Sequence, residues 1–120
     1  MVVRCLVAHE AEFMRMLMSD ILIKNGFEVA GSATTGVEAV ELYESLKPDL
    51  LTLDFRLPEL DGIAALREIR LRDPDARVVM CSSIGEQTQV KDALSAGAQE
   101  IIVKPFHEDR VIDAIKKCLR

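Results

Sequence analysis

Apolar residues in this chain fall into short runs separated by longer amphipathic stretches. The clearest run is 50–53, Leu-Leu-Thr-Leu, which leads straight into Asp54; Pro58 and Gly62 break the chain soon after. A continuous apolar run bounded by turn residues reads as a strand buried on both faces. Residues 2–8 predict a first strand of this kind, 27–33 a weaker second, 77–82 a fourth and 101–103 a fifth. The stretches between carry helical spacing. In 12–25, Phe13, Leu17 and Ile21 recur every fourth residue, Met14 and Met18 widen the stripe, and Asn25-Gly26 stops it. Thr35 and Glu38 form a capping-box pattern for a helix to about 46, with Val37, Val40, Tyr43 and Leu46 inward, ended by Lys47-Pro48-Asp49. Asp61 can cap a third helix, 62 to about 71, with Ile63, Leu66 and Ile69 on one side. Ser83 and Glu86 repeat the capping-box pattern before a fourth helix to about 95, whose apolar side is thin: chiefly Val90, Ala93 and Leu94. A last helix, about 107–119, turns Val111, Ile112, Ile115 and Leu119 to the core.

Strand and helix thus alternate five times, with no repeat, linker or low-complexity tract. That alternation predicts one α/β domain over 1–120: a doubly wound, five-stranded parallel sheet with five helices on its two faces. Right-handed crossovers leave few topologies, and five strands favour the flavodoxin-like order 2-1-3-4-5.

Composition narrows the function classes. The chain has 120 residues, 49% of them apolar, enough for a substantial core. Its net charge of −5 argues against direct nucleic-acid binding or an anionic membrane surface. No apolar run is long enough to span a membrane, and Arg4, His9, Glu10 and Glu12 interrupt any signal-peptide core. Cys5, Cys81 and Cys118 are widely spaced and odd in number, which reads as buried small hydrophobes in a reducing cytoplasm.

The chemistry gathers where the strands end. Open α/β sheets bind ligands outside the carboxyl ends of their strands. The first strand ends at His9 and Glu10, the third at Asp54, the fourth at Ser82 and Ser83, the fifth at Lys104. Asp54 alone reads equally as a strand-end acid capping its turn. With neighbouring strands about 5 Å apart, however, Glu10 and Asp54 can share a divalent cation. Lys104 can reach a phosphate oxygen as a point charge, and Ser82 can donate a hydrogen bond to the same group. A carboxylate nucleophile beside fixed positive charge is the equipment for accepting a phosphoryl group.

At this point the residues carry a resemblance. Phe-Met-Arg at 13–15, Gly-Phe-Glu-Val-Ala-Gly at 26–31, Lys-Pro-Asp at 47–49, Asp-Phe-Arg-Leu-Pro-Glu-Leu-Asp-Gly at 54–62, Cys-Ser-Ser at 81–83, Ala-Gly-Ala at 96–98 and Val-Lys-Pro-Phe at 103–106 match in order, nearly end to end. The chain resembles a receiver domain of two-component response regulators and looks most like the stand-alone chemotaxis regulators of that family. The resemblance implies that Asp54 accepts phosphate from a histidine kinase. It implies Mg²⁺ held by Glu10, Asp54 and the backbone carbonyl of Arg56. It implies that Ser82 moves onto the phosphoryl group, that Lys104 pairs with it, and that the Lys104–Pro105 peptide is cis. The implied partners are the kinase and an output protein or domain, met by the face of the fourth helix, fifth strand and fifth helix, about 86–117. The protein is then a non-enzymatic phosphoacceptor that assists its own phosphorylation and dephosphorylation, a cytoplasmic monomer with dimerisation through that face left open.

Four departures qualify this reading. His9 stands where the family usually has an acid; His suits Zn²⁺ or Cu²⁺ better than Mg²⁺, so Mg²⁺ affinity is expected to fall. The plainer reading of His9 is a polar strand-end residue. Arg56, two past Asp54, could pair with Glu10, shield the phosphoryl group or point to solvent. Ile101 occupies the family's commonly aromatic switch position, which puts the usual Ser–aromatic coupling in doubt. No output domain follows Arg120 in the sequence. His9 and Arg56 together motivate a second reading, a phosphorylation-independent pseudo-receiver that works as a protein-interaction module. A phosphatase with an aspartyl-phosphate intermediate would want a second Asp where Arg56 stands.

Overall fold

The computed structural model describes residues 2–83 and 85–120. Across these residues strands β1 (Arg4–Ala8), β2 (Glu28–Ala33), β3 (Leu50–Asp54), β4 (Val78–Ser82) and β5 (Glu100–Val103) alternate with helices α1 (Glu12–Lys24), α2 (Gly36–Leu46), α3 (Gly62–Arg72), α4 (Val90–Ser95) and α5 (Glu108–Leu119). The sheet has the order β2-β1-β3-β4-β5, and all its pairs are parallel. The predicted topology therefore holds. The most apolar strand, β3, lies at the centre and is buried at every position.

Alternate residues of each strand point to opposite faces, and each face has its own core. Leu6, Ala8, Leu51, Leu53 and Met80 pack with Val40, Tyr43, Leu66 and Ile69 from α2 and α3. Cys5, Val7, Leu50, Val79 and Cys81 pack with Met18, Ile21 and Leu22 of α1 and with Val111, Ile115 and Cys118 of α5. All three cysteines are unpaired and buried. Burial, with Asp49 nearby, pushes the Cys5 thiol up to about 12. Burial and Asp54 also raise Cys81.

Local signals set most boundaries. Asp61 Oδ1 accepts from Ala64 N at 2.9 Å and caps α3. Thr35 Oγ1 accepts from Glu38 N at 3.0 Å and caps α2. The reciprocal half of that box is shifted by one residue, since Glu38 Oε1 accepts from Thr34 N at 2.7 Å.

Three sequence expectations are corrected. Phe13 is 71% exposed and Val37 38% exposed, not inward. Both lie in the first turn of a helix that starts at the sheet's carboxyl edge, where there is little sheet beneath them. The fourth helix does not begin after Ser83: a 3₁₀ turn at Gln87–Gln89 precedes a six-residue α4. Of its thin apolar side only Ala93 is buried, while Leu94 is 52% exposed.

The start of α3 is packed directly under the end of β3. A Cβ on Gly62 would collide with the Asp54 carbonyl and the Phe55 backbone. Gly62 N also donates to Phe55 O at 2.9 Å. Backbone cannot yield as a side chain can, so Gly62→Ala is expected to cost about 2–3 kcal/mol through overpacking. Urea unfolding would read this, and a loss under about 0.5 kcal/mol, the usual range of an innocuous surface change, would show that the loop has slack.

Candidate functional site

The register brings the strand ends together. Ala8 lies opposite Leu53, Asp54 opposite Cys81, and Ser82 opposite Val103. Asp54 closes β3 and is 5% exposed. Its Oδ2 accepts from Lys104 Nζ at 2.5 Å, and its Oδ1 accepts a long bond from Arg56 N at 3.3 Å. His9 Nδ1 stands 3.4 Å from the same Oδ2. Burial alone would raise the Asp54 carboxyl, but His9 and Lys104 together outweigh it and hold the group below its ordinary value.

Backbone bonds aim these groups. Lys104 N donates to Ser82 O at 2.8 Å, which ties the fifth strand's end to the fourth. The Lys104–Pro105 peptide is cis. Beyond it, Phe106 meets the His9 ring edge-on with centroids 5.8 Å apart. Phe55 N donates to Cys81 O at 3.0 Å, and Phe55 and Leu57 are buried, so the loop after Asp54 is braced from below. On the other side Arg15 donates to the carbonyls of His9 and Glu10, at 2.9 and 2.6 Å. Sequence shows Arg15 only within a matched motif; docking of α1 beside the loop after β1 makes it the pin of that loop.

Arg56 pairs with Glu86 and not with Glu10, and most of its side chain is exposed, in keeping with the solvent reading. Its Nε donates to Glu86 Oε2 at 2.9 Å. Its own side chain is largely exposed, while Glu86 is 1% exposed. Glu86 Oε1 also accepts from Ser83 N at 2.5 Å. Glu86 is therefore a rim residue that sequence reasoning missed as such. The Ser83/Glu86 capping-box pattern held half the signal: the carboxylate does return to the Ser83 N–H, but it also spans to the loop after β3. A buried carboxylate needs such partners to offset its desolvation.

The remaining predicted residues fall as follows. Ser82 is 2% exposed at the end of β4, one strand from Asp54. Ile101 is half-buried on β5 opposite Met80. Glu10 is exposed in the loop after β1. Among the described residues no three His, Cys, Asp or Glu side chains lie close enough to hold an ion. Asp54 supplies carboxylate oxygens of the kind Mg²⁺ takes, and Glu10 and Arg56 lie in the loops that follow β1 and β3. The buried group nearest Asp54 on the β1 side is instead an imidazole with no hydrogen-bond partner on either ring nitrogen among the described residues. The donor set thus adds to its oxygens a buried imidazole, a ligand that Mg²⁺ does not favour.

A doubly wound parallel sheet that buries an aspartate at the carboxyl end of its central strand, with a lysine from an outer strand end bonded to it, defines a receiver-type domain. Residues 5–116 match the response regulator receiver domain, and the chain belongs to that family. It is 53% identical over 116 residues to chemotaxis protein CheY of Bacillus subtilis, covering 97% of each chain. It is 50% identical over 114 residues to CheY of Thermotoga maritima, covering 95% of each. Among solved structures, CheY in the CheX-CheY-BeF3-Mg²⁺ complex of Borrelia burgdorferi superposes with a TM-score of 0.94 at 32% identity, over 98% of this chain and 90% of that one. The response regulator domain of Thermotoga maritima CheB gives 0.90 at 35% identity, over 99% and 97%.

The lowered Asp54 carboxyl fixes a sign for acid stability. Its contribution is complete above the ordinary value of about 3.9 and is lost as pH falls through the lower folded value. Lys104→Ala removes one cause of the lowering, so acid unfolding followed by circular dichroism is expected to begin at higher pH. At neutral pH the variant should lose about 1–3 kcal/mol, because a mostly buried carboxylate is left short of a partner. An unmoved acid midpoint would mean that the pair adds nothing.

Proposed function

We propose that this domain is a phosphoryl-activated switch in two-component signalling, with Asp54 as the acceptor. The observation that carries the reading is the Asp54–Lys104 contact of 2.5 Å at the end of the central strand. One carboxylate oxygen attacks phosphorus, the donor leaves with its electron pair, and a mixed anhydride forms on Asp54. Lys104 is placed to follow the charge from the carboxylate onto a phosphoryl oxygen. Ser82, at the neighbouring strand end, is placed to donate its hydroxyl to another. Arg56 stands where a phosphatase with an aspartyl-phosphate intermediate would carry a second Asp, which favours a phosphoacceptor over an enzyme acting on other substrates.

Receiver domains of the CheY type generally bind Mg²⁺; here His9 lowers the pocket's affinity for it. The donor of the phosphoryl group is a histidine kinase, and the similarity to chemotaxis regulators supports a role in that kind of pathway, in the cytoplasm. The described helices include none long and apolar enough to cross a membrane. The output surface is α4, β5 and α5. Its α4 is short and buries one side chain, so it is the helix most easily shifted. A groove of about 300 Å³ runs between β5 and α5, lined by Ile101, Val103, Phe106 and Arg110 among others. Phosphorylation biases this face toward a partner-binding state by drawing in Ser82. Arg56, moored to Glu86, borders the pocket and modulates access to it.

Incubation with acetyl phosphate, with and without Mg²⁺, followed by intact mass measurement tests this. A gain of one phosphoryl mass, absent in Asp54→Ala, is the expected result. That variant should keep its circular dichroism, since a strand-end acid contributes little packing. Labelling retained in Asp54→Ala would sink the assignment. No gain in the folded wild type would favour the phosphorylation-independent interaction module, for which the buried His9 beside Asp54 is the structural argument.

A further inference from the structure

His9 is wholly buried, yet neither of its ring nitrogens has a hydrogen-bond partner among the described residues. A neutral imidazole carries one donor and one acceptor, and a buried polar group left unpaired is costly. Phe106 fills space beside the ring but offers it no polar atom. Nδ1 stands 3.4 Å from Oδ2 of the Asp54 carboxylate. That spacing is also the one an ion would set: two ligands, each about 2.1 Å from a tetrahedral centre, stand about 3.4 Å apart.

We propose that the Asp54 pocket takes a borderline divalent transition ion in preference to Mg²⁺, with His9 Nδ1 and Asp54 as direct ligands. The pairing of an imidazole nitrogen with a carboxylate oxygen suits Co²⁺, Ni²⁺ or Zn²⁺, whereas Mg²⁺ demands an oxygen set. Lys104 occupies one lone-pair direction of Oδ2, and a carboxylate offers about four such directions. Two protein donors leave the other positions to water, to phosphoryl oxygens or to Glu10, whose exposed side chain follows His9 in the chain. The proposal deepens the phosphoacceptor reading by naming the ion at its site, and it rests on that reading only for its use. Binding itself is read without any phosphoryl transfer.

The test is titration of the folded protein with Zn²⁺ and with Mg²⁺ by calorimetry, and with Co²⁺ by visible absorption. Long-range ¹H–¹⁵N spectra would follow the two imidazoles, His9 and His107. Zn²⁺ is expected to bind at least about tenfold more tightly than Mg²⁺ and to shift the His9 Nδ1 resonance while leaving that of exposed His107 in place. His9→Asp should raise Mg²⁺ affinity and narrow the gap to Zn²⁺, and Asp54→Ala should abolish Co²⁺ absorption. His107→Ala should change nothing. If His9→Asp does not fold, His9→Gln serves, and the nitrogen spectra of the wild type decide without any variant. Equal affinity for Mg²⁺ and Zn²⁺, an unmoved His9 resonance at saturation, or no binding of either ion would overturn the proposal. Zn²⁺ binding without acetyl phosphate labelling would leave it standing and remove the phosphoacceptor role. Labelling with Mg²⁺ alone and no Zn²⁺ shift at His9 would do the opposite.

Discussion

A carboxylate buried at the end of a central strand is the constraint on which this molecule depends. Asp54 is 5% exposed, and a charge so placed is tolerable only when opposite charge and hydrogen bonds meet it. Lys104 meets it across two strands, so β5 and the turn after it must be docked before Asp54 is comfortable. His9 approaches from β1 on the other side. The site therefore draws on four of the sheet's strand ends, and its geometry depends on the parallel register.

The same economy explains the rim. Glu86 would be a second buried charge, and it is neutralised by Arg56 from the loop after β3 and by the Ser83 N–H from its own loop. The two loops that flank Asp54 are thereby tied to each other. Any group that competes for Arg56 acts on the segment leading into α4. Because α4 is short and has little core of its own, that segment lies at the low-stability end of the fold, where conformational shifts are least costly. The pocket and the segment leading into α4 are linked here by a specific ion pair.

His9 sets this pocket apart in chemistry. An acid in its place would add negative charge and oxygen donors; the imidazole offers nitrogen instead and is buried without a hydrogen bond among the described residues. The pocket is left with two carboxylates, one of them exposed, against one ammonium. A change of one residue type at one strand end thus alters which cations the site can hold, while the fold around it is unchanged.

Much of this was written locally. Apolar runs bounded by turns placed the five strands, and the Asp61 and Thr35 caps marked two helix starts, because strand burial and capping depend on residues close in sequence. Alternation and crossover handedness then gave the strand order, and the strand ends gave Asp54, Lys104 and Ser82 as neighbours. Tertiary structure decided what depends on where an element lies over the sheet or on residues distant in sequence. Phe13 has the spacing of a core residue but sits past the sheet's edge. Arg56 found Glu86, thirty positions away, a partner no local pattern names. Arg15 became a pin only when α1 lay beside the loop after β1. His9 could be read as a polar strand-end residue until packing enclosed it beside Asp54. Periodicity tells which side of an element is apolar; only the packed sheet fixes which charges must answer one another, because desolvation is a property of the whole enclosure.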